Sequence, residues 1–192
     1  MLQIFGYISA LLSIIAIIPY VRDIFRKKTK PERASWLIWT ILGCVAFFSQ
    51  LAKGAGDSLW LTGSQTLVVL FIFLLSIKYG VGGLVKKDII AIIFTVLGLV
   101  IWYFTNNSAY ALFMVIIISA IGVYLTIIKA YKEPATETTS TWFMSGTSGI
   151  FGAVAVGSFS FILLIYPIFI ILTNYLVFAS VLLGKNKLKS IA

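Results

Sequence analysis

Charged residues divide this chain into long apolar runs, and the lengths of those runs predict its elements. Met1–Val21, Ala34–Ala52 and Ser58–Ile77 carry no charge. Each matches one helical crossing of a hydrocarbon core of ~30 Å at ~1.5 Å per residue. Ile89–Ile128 and Thr138–Gly184 are also uncharged but too long for one crossing. As single helices they would extend ~60 Å and ~70 Å. Each is therefore predicted to turn back and cross twice. The turns fall at Thr105-Asn106-Asn107-Ser108 and at Gly157-Ser158, both sequences that break regular structure. The fold class predicted is all-α: a polytopic membrane protein of seven transmembrane helices.

The basic residues test that count. With seven crossings, loops 22–33, 78–88 and 129–137 and the tail 185–192 lie on one side and hold all but one of the fifteen basic residues, Lys53 being the exception. The excess of Lys and Arg on cytoplasmic loops then predicts a multi-pass cell-membrane protein with the N-terminus outside and the C-terminus cytoplasmic. Composition agrees: 60% of residues are hydrophobic, 11% are charged, and the mean hydropathy is +1.06. The net charge of +9 is read as topology, and no nucleic-acid partner is expected, because no soluble surface gathers the basic residues. Met1-Leu2-Gln3 lacks the basic start of a cleaved signal peptide. The single cysteine, Cys44, excludes an intrachain disulfide, and histidine is absent.

One block of sequence occurs twice. Ile17-Ile18-Pro19-Tyr20-Val21 is followed by a basic loop with Pro31 and by Ser35-Trp36 leading into Gly43. Ile121-Gly122-Val123-Tyr124-Leu125 is followed by a charged loop with Pro134 and by Thr141-Trp142 leading into Gly146 and Gly149. Tyr20 aligns with Tyr124, Pro31 with Pro134, and Trp36 with Trp142 after a three-residue insertion. The predicted plan is 3+1+3: a first three-helix repeat at 1–80, a linker helix at 81–105, a second repeat at 106–184 and a basic cytoplasmic tail at 185–192. The odd helix makes the repeats parallel, related by a pseudo-two-fold axis along the membrane normal, as in transporters that rock around a midplane site. Gly43, Ala46, Gly146, Gly149, Gly152, Ala153 and Gly157 are read as positions of close helix packing.

In these features the chain resembles the PQ-loop superfamily, specifically its seven-helix SWEET (MtN3/saliva) transporters. The residues that carry the resemblance are Pro19-Tyr20, the loop Arg26-Lys27-Lys28-Thr29-Lys30, Ser35-Trp36 and the second block before Trp142. The family's proline–glutamine pair is Pro19-Tyr20 here and Val123-Tyr124 in the second block. The resemblance implies a uniporter: facilitated, alternating-access transport of a small neutral, sugar-like solute. Vitamin or nucleoside-type transporters share the same plan, as do seven-helix receptors that bind a ligand without moving it.

Candidate chemistry narrows the classes. No acidic or basic residue falls inside a predicted span; Asp23 and Asp57 sit at helix ends. That argues against an ion-driven pump, since intramembrane carboxylates and histidines are the usual relays. An enzyme is not expected for want of histidine and paired buried carboxylates, and no metal or other cofactor is implied. The candidate solute-binding residues are Gln65 with Ser64 in helix 3, Asn174 and Tyr166 in helix 7, and Trp39 as a stacking surface. Each amide either bonds a ligand or bonds a neighbouring helix. Gln50 reads as interfacial. Trp36 and Trp142 read as belt anchors or as stacking surfaces, and Trp60 and Trp102 as outer-belt residues. Pro19 with Tyr20, and Pro167, are the candidate hinge or gate positions, because proline removes a helical hydrogen bond; the alternative is that they only shape packing. The expected partners are the small-molecule solute and membrane lipids, anionic ones at the basic loops. A homo-oligomer is compatible with the pattern but not required by it.

Overall fold

Where water is absent, every backbone N–H and C=O must find its partner within the chain, and long apolar runs satisfy this as helices. The computed structural model describes residues 1–31, 33–80, 89, 93, 96, 97, 100, 104 and 108–191. Its helices are α1 (Leu2–Phe25), α2 (Arg33–Ala52), α3 (Leu59–Tyr79), α4 (Ser108–Lys132), α5 (Thr139–Ala155) and α6 (Phe161–Ile191), with a 3-10 turn at Pro134–Thr136. Among the described residues there is no strand. Four helical stretches, Leu2–Phe25, Ser35–Ala52, Leu59–Tyr79 and Phe161–Ser190, are long and apolar enough to cross a membrane, as an integral membrane protein requires. Six α-helices are thus described where seven are expected. The linker helix, its turn at 105–108 and Trp102 lie mostly outside the described residues. Within it, Ile89, Ile93, Val96, Leu97, Val100 and Phe104 are helical.

The break between the last two helices falls where expected. Gly157 has φ 67, a left-handed conformation that side-chain-bearing residues rarely adopt. α6 continues to Ile191, so the described part of the basic segment after Gly184 is helical. Leucine and lysine are good helix formers. Lys185 Nζ donates to Thr139 Oγ1 at 2.7 Å, and Lys187 Nζ stands 5.2 Å from the Tyr131 ring centre.

The six helices close into a ring. α3 packs between α1 and α2, α6 packs between α4 and α5, and the ring is closed by α1 against α5 and α2 against α4. α1 and α5 run antiparallel: Phe5 stacks on Phe151 with ring centres 6.1 Å apart, while Thr138, just before α5, donates to Asp23 near the end of α1. Gly80, after α3, lies against the Pro31 carbonyl, and Gly184 on α6 lies against the Tyr131 backbone. Hence α1, α3, α4 and α6 run one way, and α2 and α5 the other. α3 ends at the end of the bundle that holds basic loop 26–33, and α4 starts at the end that holds Met1.

Contacts made by α2 and α3 recur in α5 and α6. A Cβ on Gly43 would meet Thr66 Oγ1 at 2.8 Å, and one on Gly149 would meet Ile171 Cγ1 at 2.9 Å. Ala46 shares a cluster with Tyr166, as Gly152 abuts Leu61. Trp36 joins Ile72, and Trp142 joins Val177. The Trp36–Trp142 alignment fits these contacts, but the Tyr20–Tyr124 alignment fails. Tyr20 is 3% exposed, whereas Tyr124 is 61% exposed on the outside of the bundle. Burial instead matches Ala16-Ile17 with Ile118-Ser119, which puts Gly122 where α1 has Tyr20. The missing side chain leaves room for Trp39 of α2, whose Nε1 would lie 3.1 Å from a Cβ there.

Candidate functional site

All six helices line one cavity. About 100 Å3 of it admits the centre of a water-sized sphere, several times the ~10–15 Å3 that one water needs. α1 contributes Ile17 and Tyr20 from its second half, and α2 contributes Trp36 and Trp39 from its first turns. The cavity therefore sits toward the basic end of the bundle.

Its walls are aromatic. Tyr20, Trp36, Trp39, Trp142, Tyr166 and Phe169 all line it. Trp36 meets Trp39 edge-on at 5.2 Å and Tyr20 at a tilt at 5.4 Å, so each ring braces the next. Among the described residues no charged side chain lines the space. The polar groups are amides and hydroxyls. Gln65 Nε2 donates to Ser13 Oγ and Ser148 Oγ, each at 3.3 Å, and Asn174 Nδ2 donates to the Ile170 carbonyl at 2.8 Å. Both Gln65 N–H groups and one Asn174 N–H are thus committed to the protein. Thr141 is 6% exposed, and its hydroxyl has no partner. A buried hydroxyl in that state is a group awaiting a ligand or a water. The site therefore offers flat apolar faces with acceptors and hydroxyls between them.

Of the candidate residues, Gln65, Asn174, Trp39, Tyr166 and Tyr20 line the cavity. Ser64 does not; its hydroxyl turns back to the Leu61 carbonyl at 2.9 Å. Pro19 and Pro167 lie within α1 and α6 and do not line the cavity. Asn174 is not the positional partner of Gln65: the recurring contacts match Gln65 with Ile170 and put Asn174 one turn deeper. Gln50 is fully buried rather than interfacial. The loop after α2 folds back on it, with Ala55 N–H reaching the Gln50 carbonyl at 3.0 Å and Thr62 Oγ1 donating to its Oε1 at 2.7 Å. Trp36 and Trp142 wall the cavity instead of anchoring a belt, while Trp60 remains half exposed against Tyr7. Sequence reasoning missed Thr141 and Ser145. Their spacing of four, which sets both on one face of α5 beside Trp142, was the available signal.

At the basic end, polar bonds join the loop after α1 to the residues just before α5. Thr138 Oγ1 donates to Asp23 Oδ2 at 3.0 Å, which leaves Thr29 to donate to Thr138 Oγ1 at 3.0 Å. Beside them Glu137 is buried. Its Oε1 accepts from Lys129 Nζ at 3.0 Å and its Oε2 from Trp142 Nε1 at 3.1 Å, so a loop carboxylate fixes a cavity indole. Lys129 is partly solvated, and such ion pairs contribute roughly 0–1 kcal/mol. Glu137→Gln, which keeps an acceptor for the indole, is expected to lower the melting temperature in detergent by no more than ~4 °C. Glu137→Ala is expected to lower it further, because the indole N–H then has no partner. Equal losses for the two would show that Trp142 does not depend on this bond.

Comparison with protein families, with curated proteins and with solved structures finds no match to this chain.

Proposed function

We propose that this chain is a membrane transporter, a uniporter that moves a small neutral polar solute, sugar-like in chemistry, by facilitated alternating access. The observation that carries the reading is the cavity where α1–α3 meet α4–α6: aromatic walls, the amides of Gln65 and Asn174, the unpartnered Thr141 hydroxyl and, among the described residues, no charged lining. A hydroxylated ring matches it, its apolar face on indole and its edge on the acceptors. Two packed triplets of the same internal order, α3 between α1 and α2 and α6 between α4 and α5, are the units that would rock. In this reading they are parallel repeats of a 3+1+3 plan. The single crossing over about 89–104 carries the chain from the basic end, where α3 finishes, to the Met1 end, where α4 begins. Met1 faces outward and the basic end faces the cytoplasm, in contact with anionic lipid.

Purified protein in liposomes, offered a panel of sugars, nucleosides and vitamins, tests this directly. Saturable flux and counterflow are expected for a neutral hydroxylated solute, with no dependence on an imposed pH gradient. Asn174→Leu is expected to lower that flux by about tenfold, the effect of losing one buried acceptor. A panel with no saturable flux would overturn the reading. The same panel decides the vitamin or nucleoside alternative, which the three lining tryptophans also favour because they would stack on a flat heterocycle.

A further inference from the structure

The two seams that join the triplets occupy corresponding places in the ring, yet they differ in polarity toward the cavity. Across the α1–α5 seam, Ser9 Oγ donates to the Ser148 carbonyl at 2.9 Å, and Gln65 Nε2 reaches from α3 to Ser13 and Ser148. All three serines are buried. Across the α2–α4 seam the described residues Ile38, Leu42, Val45 and Ala46 cluster with Ile118, backed by Tyr166, with Ser119 buried beside Ile118 at the cavity. The recurring glycine contacts match Ser148 with Leu42 and Gln65 with Ile170. At these corresponding places one seam is polar and the other is not. Ser49 follows a turn beyond Ala46, past the end of the cluster.

We propose that solute passes between the cavity and the Met1 end along the α1–α5 seam, over Ser148, Gln65, Ser13 and Ser9, while the α2–α4 seam stays closed as the fulcrum. This rests on the transport reading. Two physical arguments carry it. First, parting the polar seam strands few groups. Ser13 Oγ donates to the Ser9 carbonyl at 3.0 Å and Ser148 Oγ to the Ser145 carbonyl at 2.7 Å, bonds within their own helices that survive separation. Their lone pairs then face the opening and accept from a passing hydroxyl. Second, parting the α2–α4 seam would wet Leu42, Val45 and Ile118 with nothing to offset the loss of apolar burial. Among the described residues, a neutral hydroxylated solute therefore finds successive hydrogen-bond partners along the α1–α5 seam.

Single cysteines in a Cys44→Ser background test the route without knowledge of the solute. The positions are Ser9→Cys, Ser13→Cys and Ser148→Cys on the proposed route, Leu42→Cys and Ile118→Cys on the fulcrum, and Ser145→Cys in the cavity. The full chain, in sealed membranes, is treated from each face with a membrane-impermeant methanethiosulfonate. Complete labelling after denaturation, with monodisperse elution beforehand, verifies each folded variant. From the Met1 face, the route positions are expected to react at least tenfold faster than the fulcrum positions. A crosslink between Phe5→Cys and Phe151→Cys made with a bifunctional methanethiosulfonate is expected to abolish that reaction and to be reversed by reductant. If the fulcrum positions react as fast as the route positions, the route is wrong and the transport reading stands. If Ser145→Cys reacts from the basic face but neither seam reacts from the Met1 face, the cavity does not open at that end and both readings fall. Both fall too if Ser145→Cys reacts from neither face.

Discussion

Gln65→Leu is expected to lower saturable solute uptake by about tenfold or more while shifting the melting temperature by no more than a few degrees. The separation of the two effects follows from who depends on whom. Gln65 donates to Ser13 Oγ and Ser148 Oγ, but both serines already donate to backbone carbonyls of their own helices. Removing the amide thus leaves neither hydroxyl proton without a partner, and leucine is close to glutamine in volume. Buried hydrogen bonds between helices in membranes contribute only about 0.6 kcal/mol on average, so stability should change little. Binding is different. Gln65 lines the cavity, and a solute hydroxyl that donates to its Oε1 loses that acceptor in the variant. Leaving such a group buried and unpaired costs about 1–3 kcal/mol, and 1.36 kcal/mol is a factor of ten. Uptake measured beside thermal unfolding checks both halves. Lost uptake with an equal loss of folded protein would make Gln65 a packing residue only.

A large effect on stability is expected at Gly149. A Cβ there would meet Ile171 Cγ1 at 2.9 Å and the Ile171 backbone N at 3.1 Å. Rotamer change can move the first atom but not the second, so α5 and α6 must separate. In lipid no hydrophobic drive restores the contact, because association rests on close packing itself. Overpacking of this kind costs about 1–3 kcal/mol for small insertions. Gly149→Val is accordingly expected to lower the melting temperature in detergent by about 5 °C or more, or to prevent recovery of monodisperse protein. Gly56→Ala is the control, since a Cβ at Gly56 meets nothing within 4 Å. Thermal unfolding that ranks the two variants equally would remove the packing argument.

Much of this protein was legible in its sequence, and the division has a physical basis. Uncharged runs of spanning length dictate helices, because lipid leaves the backbone no other partner, and Gly157 marks the break before α6 because of its left-handed backbone. Gln65, Asn174 and Trp39 could be singled out for the same reason: polar or amphipathic groups in an apolar helix need a place to go, and the cavity is that place. Which face of each helix turns inward could not be read. In water the inward face is apolar and the outward face polar, but in a bilayer both are apolar and the periodic signal fades. Tyr20 and Tyr124 look alike in sequence, yet one walls the cavity and the other faces outward. Trp36 and Trp142 sit where belt residues belong and were turned into the cavity by their neighbours. The sequence by itself determined the class, the helices and their polar candidates. Only tertiary packing decided which seam is polar, which rings meet and which amides reach the cavity, since those depend on how small residues such as Gly122 and Gly149 let one helix approach another.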